Sequence, residues 1–153
     1  MERYAEKDKK AAIIYTSTHH GNTKKLIDAI VAKHEVTLID ATKETKADLN
    51  EFDIIGIASG IYFGNFHKSI ISFVEDNLPD EKKVFLMSTY GNATGEKEIR
   101  SVLKAKKAEI AGSYGCKGYD TFGPFKLVGG IAKGHPTEEE LQGTVNFFEG
   151  LLT

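Results

Sequence analysis

The strongest constraint on what this chain can fold into is an alternation of two patterns. Short apolar runs rich in β-branched residues are separated by stretches with helical spacing. Four runs read as buried strands: Ala11–Tyr15, Val36–Ile39, Ile54–Ala58 and Val84–Met87. Each is nearly continuous, as expected of a parallel sheet covered on both faces. A fifth, glycine-containing run lies around Ser113–Tyr119. Between the runs, Thr23–Lys33 places Leu26, Ile27, Ile30 and Val31 on one helical face. Lys68–Asn77 does the same with Ile70, Ile71, Phe73 and Val74, and Pro79 follows it. Glu96–Ile110 carries Ile99, Val102, Leu103 and Ile110. Glu138–Leu152 carries Leu141, Val145, Phe148 and Leu152, with Thr137 as its N-cap. Asp48–Glu51 reads as a short helical turn. The order predicts an α/β fold, a doubly wound five-stranded parallel sheet with helices on both faces. In such sheets ligands sit beyond the carboxyl ends of the strands, so function is to be sought in the loops that follow them.

Composition narrows the setting. The 153 residues suit one domain, expected over 11–153 after a charged extension, Met1–Lys10. A net charge of −2 points to neither nucleic acid nor an anionic membrane. The single cysteine, Cys116, cannot form an internal disulfide and reads as a buried strand residue. The first residues lack the apolar stretch of a signal peptide, and no apolar run approaches the roughly 20 residues of a membrane span. A cytoplasmic protein without membrane insertion is expected. The five histidines, His19, His20, His34, His67 and His135, make no metal-ligand spacing with cysteines or carboxylates. His34 reads as a helix-end cation, and Lys104, Lys106 and Lys107 as a solvated helix face.

The loop after the first strand is Thr16-Ser17-Thr18-His19-His20-Gly21-Asn22-Thr23, and a helix opens at once. Its hydroxyl and amide side chains can surround phosphate oxygens. The free N–H groups of the helix start add a favourable dipole. The loop lacks the G-x-x-x-x-G-K-[ST] of nucleotide-hydrolysing proteins and the extra glycines of the dinucleotide fingerprint. A terminal monoester phosphate suits such a neutral polar cradle. The plainer alternative is a hydroxyl-rich helix cap.

The run Ile13–Thr23, an apolar strand, an aromatic and a hydroxyl-rich turn ending Gly-Asn-Thr, resembles the FMN phosphate loop of flavodoxins. It departs from the family by one residue. Gly21 stands four positions after Ser17, where three is usual, and the extra residue falls at His19-His20. The order of elements is similar across nearly the whole chain. The resemblance implies the strand order 2-1-3-4-5 and FMN bound without a covalent link.

It also implies two further cofactor loops. After the third strand, Ser59, Gly60, Ile61, Tyr62, Phe63 and Gly64 correspond to the loop that supplies a stacking aromatic and a flexible glycine peptide near flavin N5. Gly64 resembles that glycine, and Tyr62 and Phe63 are both candidates for the stacking ring. Phe66, and Phe63 in the alternative, read as plugs of the core end. After the fourth strand, Thr89, Tyr90, Gly91 and Asn92 correspond to the second flavin-edge loop, with Tyr90 as its aromatic. A plain loop with an N-cap at Thr94 is the alternative. The long glycine- and aromatic-rich stretch from Gly118 to Pro136 reads as a cap over the flavin, a partner surface or a packed loop.

Three functions follow as expectations. The first is an FMN-dependent carrier of low-potential electrons between a reductase and an acceptor enzyme. The near balance of 20 basic and 22 acidic residues weakens the acidic steering usual in such carriers. The second is an FMN oxidoreductase of the quinone reductase or protoporphyrinogen dehydrogenase type, which Ser59–His67 also resembles. The third, a receiver module, lacks an acceptor Asp at the end of the third strand, where Ala58 and Ser59 stand.

Overall fold

The computed structural model describes residues 9–16, 22–90, 95–117 and 136–152. The strands are β1 (Ala11–Tyr15), β2 (Thr37–Asp40), β3 (Ile54–Tyr62), β4 (Asn65–Phe66), β5 (Lys83–Tyr90) and β6 (Glu109–Lys117). The helices are α1 (Asn22–Val31), α2 (Lys68–Asn77), α3 (Lys97–Ala105) and α4 (Glu138–Leu151). Five parallel strands run in the order β2-β1-β3-β5-β6. Numbered among themselves, they give the expected 2-1-3-4-5. The direction of strand addition reverses between β1 and β3, and that switch opens a crevice at the carboxyl edge.

The period-two alternation of β3 divides the core in two. Ile55 and Ile57 face one side with Ile14 and Leu86, where Ile70, Phe73 and Val74 of α2 and Ile99 and Leu103 of α3 cover them. Ile54 and Ala58 face the other with Ile13, Phe85 and Met87, beneath Leu26, Ile27 and Ile30 of α1 and Phe148 of α4. Leu26, Ile27 and Ile30 are fully buried; each contributes about 1.5–3 kcal/mol by leaving water. Phe85 takes its place because Gly56 beside it has no side chain. A Cβ on Gly56 would lie 2.7 Å from Phe85 Cε2.

Five expectations need correction. The fourth strand does not stop at Met87: β5 runs on to Tyr90, so Thr89 and Tyr90 are strand rather than loop. The stretch Ser59–Tyr62 is not loop: β3 continues through it and turns back as β4, an antiparallel partner pairing Ile61 with Phe66 and Tyr62 with Asn65. Phe63 and Gly64 form the two-residue turn, at φ 52° and 81°, as the strand twist of a type I′ hairpin requires. The third helix ends at Ala105 and leaves Ile110 to β6. Lys107 N–H bonds to the Lys104 carbonyl and Ala108 N–H to that of Leu103, both at 3.0 Å, with Lys107 at φ 58°. This is a Schellman stop with lysine where glycine is usual, so the sequence concealed it. The fifth strand accordingly begins four residues earlier than expected, at Glu109. At Asp48–Glu51 the chain makes a turn rather than a helix. Asp48 Oδ1 accepts from Asn50 N–H at 3.0 Å, and Phe52 N–H bonds to the Leu49 carbonyl.

Two expected placements hold. Thr137 caps α4, its hydroxyl accepting from Glu140 N–H at 3.2 Å while the Glu140 carboxylate accepts from Thr137 N–H at 2.7 Å. His34 follows α1 and meets Glu149 of α4 at 2.8 Å. The expected N-terminal extension lies outside the described residues up to position 8. Lys10 is joined to the sheet base by its N–H to Asp53 Oδ2 and by Asp53 N–H to its carbonyl, both at 2.8 Å.

Candidate functional site

Polar side chains are almost absent from the described interior except along one rim. Seven polar residues are buried, and six of them stand at the carboxyl edge: Thr16, Asn22, Thr23, Ser59, Ser88 and Thr89. Thr144, the seventh, satisfies its hydroxyl on the Glu140 carbonyl within α4. The six come from three strand ends and one helix start, so only the folded sheet brings them together.

Register explains the arrangement. Tyr15 pairs with Ala58, and Ser59 with Ser88. Thr16, one step past Tyr15, therefore falls in line with Ser59 and Ser88 across β1, β3 and β5. All three are fully buried. Ser59 Oγ, in the middle, accepts from His67 N–H at 3.0 Å and donates to the Gly60 carbonyl. Thr16 Oγ1 and Ser88 Oγ have no hydrogen-bond partner among the described residues. An unmade buried hydroxyl bond costs about 1–3 kcal/mol, which a bound polar group would recover.

The start of α1 also lies at this rim. Asn22 and Thr23 are the first residues of α1, both buried, and its first turn carries no acid. Thr23 Oγ1 and Thr89 Oγ1 share a hydrogen bond of 2.9 Å, tying the helix start to the end of β5. Of the first-loop candidates, Thr16, Asn22 and Thr23 are thus placed at this rim. Ser17, Thr18, His19, His20 and Gly21 lie outside the described residues, as do Gly91, Asn92, Thr94 and all of the final loop from Gly118 to His135.

The hairpin sends its three aromatics, Tyr62, Phe63 and Phe66, to different places. Ile61 and Phe66 turn into the α2/α3 side of the core, Phe66 as the plug expected of it. Phe63 is 90% exposed, so it plugs nothing. Tyr62 lies over its own strand, where a Cβ on Gly60 would meet its hydroxyl at 3.2 Å. Its ring meets His67 edge-to-face at 5.1 Å. His67 in turn caps α2: Nδ1 accepts from Ser69 N–H at 3.1 Å. An amide N–H only donates, so this Nδ1 carries no proton and the Ser69 hydroxyl at 2.8 Å also donates to it. Across the crevice Tyr90 ends β5, half-buried and paired in register with Lys117.

Two ionisable groups near the rim are held neutral. Burial, then the nearby Asp40, raises the Tyr15 phenol above its ordinary value. Burial, then the Glu140 charge, pushes the Cys116 thiol up to about 12. Cys116 is therefore a packed thiol at neutral pH, not a thiolate.

Residues 13–119 match the model of the flavodoxin domain family. The chain belongs to that family. An uncharacterized protein of Methanocaldococcus jannaschii is 40% identical over 147 residues, covering 94% of this chain and 98% of that protein. Oxidised flavodoxin 2 from Bacillus cereus superposes with a TM-score of 0.61 at 20% identity, covering 93% of this chain and 97% of the other. Rubredoxin oxygen:oxidoreductase from Desulfovibrio gigas superposes with a TM-score of 0.68 at 14% identity over 97% of this chain, which spans 37% of that enzyme's chain. At such identities the two structures share the fold alone. In this flavodoxin-domain chain, sequence reasoning passed over Ser88 and Gly95 at the rim. Both stand in the stretch after the fourth apolar run, where neither was given a cofactor role of its own.

Proposed function

We propose that this flavodoxin-domain protein binds one FMN without a covalent link and carries low-potential electrons between a reductase and an acceptor enzyme. The observation that carries the reading is the pair of orphaned buried hydroxyls, Thr16 Oγ1 and Ser88 Oγ, in the polar rim at the carboxyl edge of the sheet. Buried polar atoms are nearly always partnered, so these two fit a polar ligand at the switch point. Thr16, Ser17, Thr18, His19, His20, Gly21, Asn22 and Thr23 would hold the phosphate, with the α1 start supplying N–H groups. Ser59, Gly60, Ile61, Tyr62, Phe63 and Gly64 would flank the ring on one side, and Thr89, Tyr90, Gly91 and Asn92 on the other. The bound flavin would supply one- and two-electron redox chemistry.

The chain's own work is then placement and exclusion of water. The Thr23–Thr89 bond ties the phosphate end to the ring end. Tyr62, braced by His67, offers an aromatic face already ordered.

A visible spectrum of the purified protein tests the proposal. Flavin bands, lost to the filtrate as intact FMN on denaturation, support it. Colourless protein that ignores micromolar FMN overturns it. The second reading, an FMN oxidoreductase of the quinone reductase or protoporphyrinogen dehydrogenase type, is favoured by the near-balanced charge, which gives a partner protein little to steer on. Steady turnover of NAD(P)H with a quinone, or of a porphyrinogen, selects it; fast one-electron exchange without such turnover selects the carrier.

A further inference from the structure

Two glycines meet at the rim for opposite reasons. Gly64, in the hairpin turn, has open space around it: nothing lies within 4 Å of where its Cβ would stand. Its φ of 81° is what requires glycine there. Gly95, at the far end of the loop after β5, is required by crowding. A Cβ there would run into the Gly64 carbonyl oxygen, lie 2.6 Å from the Gly64 carbonyl carbon and 2.9 Å from Asn65 N. All three are backbone atoms, so no flexible side chain can swing aside. The bare Cα of Gly95 lies flat against the Gly64–Asn65 peptide.

That contact joins the hairpin tip, proposed to flank the flavin ring, to the chain just ahead of α3. The hairpin is anchored in the core at Ile61 and Phe66, but its tip projects beyond those anchors with Phe63 90% exposed. Gly95 is the backbone against which the tip rests. A methyl at position 95 needs a contact above 3.0 Å, so the tip or the loop would have to give way by several tenths of an ångström. A ligand site holds its geometry to within about 0.5 Å.

We propose that Gly95 is a positioning residue of the cofactor site. Its missing side chain seats the Gly64–Asn65 peptide and so sets the spacing between the β3–β4 hairpin and the β5 loop. The inference rests on the FMN reading above. In wild type the carbonyl of Gly64 faces the seat, and the seat limits how that peptide can turn towards a bound ring. The effect is on flavin affinity and potential, because the ring's two faces and edge are met by groups whose separation the seat fixes.

The test compares wild type, Gly95→Ala and Gly56→Ala. The last crowds Phe85 in the core, away from the hairpin tip, and reports general destabilisation. FMN dissociation constants come from fluorescence titration, the two one-electron midpoint potentials from spectroelectrochemistry, and stability from thermal melts of the apoprotein. Gly95→Ala is expected to weaken FMN at least tenfold and to change the separation of the two potentials. Gly56→Ala is expected to lower the melting temperature while leaving that separation as in wild type. Wild-type affinity within twofold and unmoved potentials in Gly95→Ala overturn the seat while leaving the FMN reading intact. Failure of wild type itself to bind FMN overturns both. Should Gly95→Ala not fold, amide NMR of wild type decides: FMN-induced shifts at Gly95 and Asn65 among the largest in the spectrum support the seat, and their absence overturns it.

Discussion

The middle of the sheet and its carboxyl edge are built from the same three strands but to different rules. In the middle, Ile14, Ile57 and Leu86 sit side by side under α2 and α3, fully buried and apolar. One pleat further along, the same face of the same strands carries Thr16, Ser59 and Ser88, equally buried. The first row stabilises the fold by leaving water. The second row costs stability wherever a hydroxyl goes unmatched. Burial is therefore no guide to purpose here; what distinguishes the two rows is whether each buried atom is satisfied by the chain itself.

That contrast can be broken most forcefully from the interior. Phe85→Ala, which empties the space over Gly56 and removes ring contacts with Phe147 and Phe148 at 6.0 and 5.8 Å, should cost about 3–5 kcal/mol in urea unfolding of the apoprotein. A loss below 1 kcal/mol would show that the α1/α4 side is not close-packed.

The neutral Cys116 thiol, packed with the same cluster, sharpens it through pH. Its folded value of about 12 lies above the ordinary 9.0. The unfolded chain therefore releases this proton first as pH rises. The contribution is complete below pH 9 and is lost between pH 9 and 12, by up to a few kcal/mol. The slope of unfolding free energy against pH over that window should be shallower in Cys116→Ala than in wild type. Equal slopes would remove Cys116 from the buried set.

At the edge the effects shrink and then change sign. Thr23→Val leaves Thr89 Oγ1 without the partner it now has at 2.9 Å and should cost about 1–3 kcal/mol. Adding Thr89→Val should restore much of this, and a double-mutant cycle measures the coupling. Additive losses would show that the bond contributes nothing. Smallest of all, Thr16→Val and Ser88→Ala should leave apoprotein stability unchanged or raise it by up to about 1 kcal/mol, because each removes an unmatched buried hydroxyl. Both should weaken FMN measured by fluorescence titration. Destabilisation of the apoprotein with unchanged FMN affinity would make the rim ordinary core.

Much of this was legible in the chain. Continuous apolar runs such as Ala11–Tyr15 announced parallel strands, and the hydroxyls around Asn22-Thr23 announced a polar loop at the switch point. Other features were not legible for local reasons. The Schellman stop after Ala105 uses Lys107 in a left-handed conformation, so the helical period ran on to Ile110 without a visible break. The β3–β4 hairpin turns on Phe63-Gly64, and a bulky aromatic at a positive φ is not what a turn signature predicts. Tyr62 and Phe63 were equivalent as sequence; one was folded over Gly60 and the other turned to solvent only once the strand had continued past Ala58.

By itself, then, the sequence determined the order of elements and the polar character of the first loop, because periodicity and side-chain chemistry are properties of neighbouring residues. The tertiary structure alone decided that Thr16, Ser59 and Ser88 form one row, that Thr23 reaches Thr89, and that Gly95 lies under Gly64. Each joins residues far apart along the chain, and strand register with backbone crowding, rather than residue type, sets which of them meet.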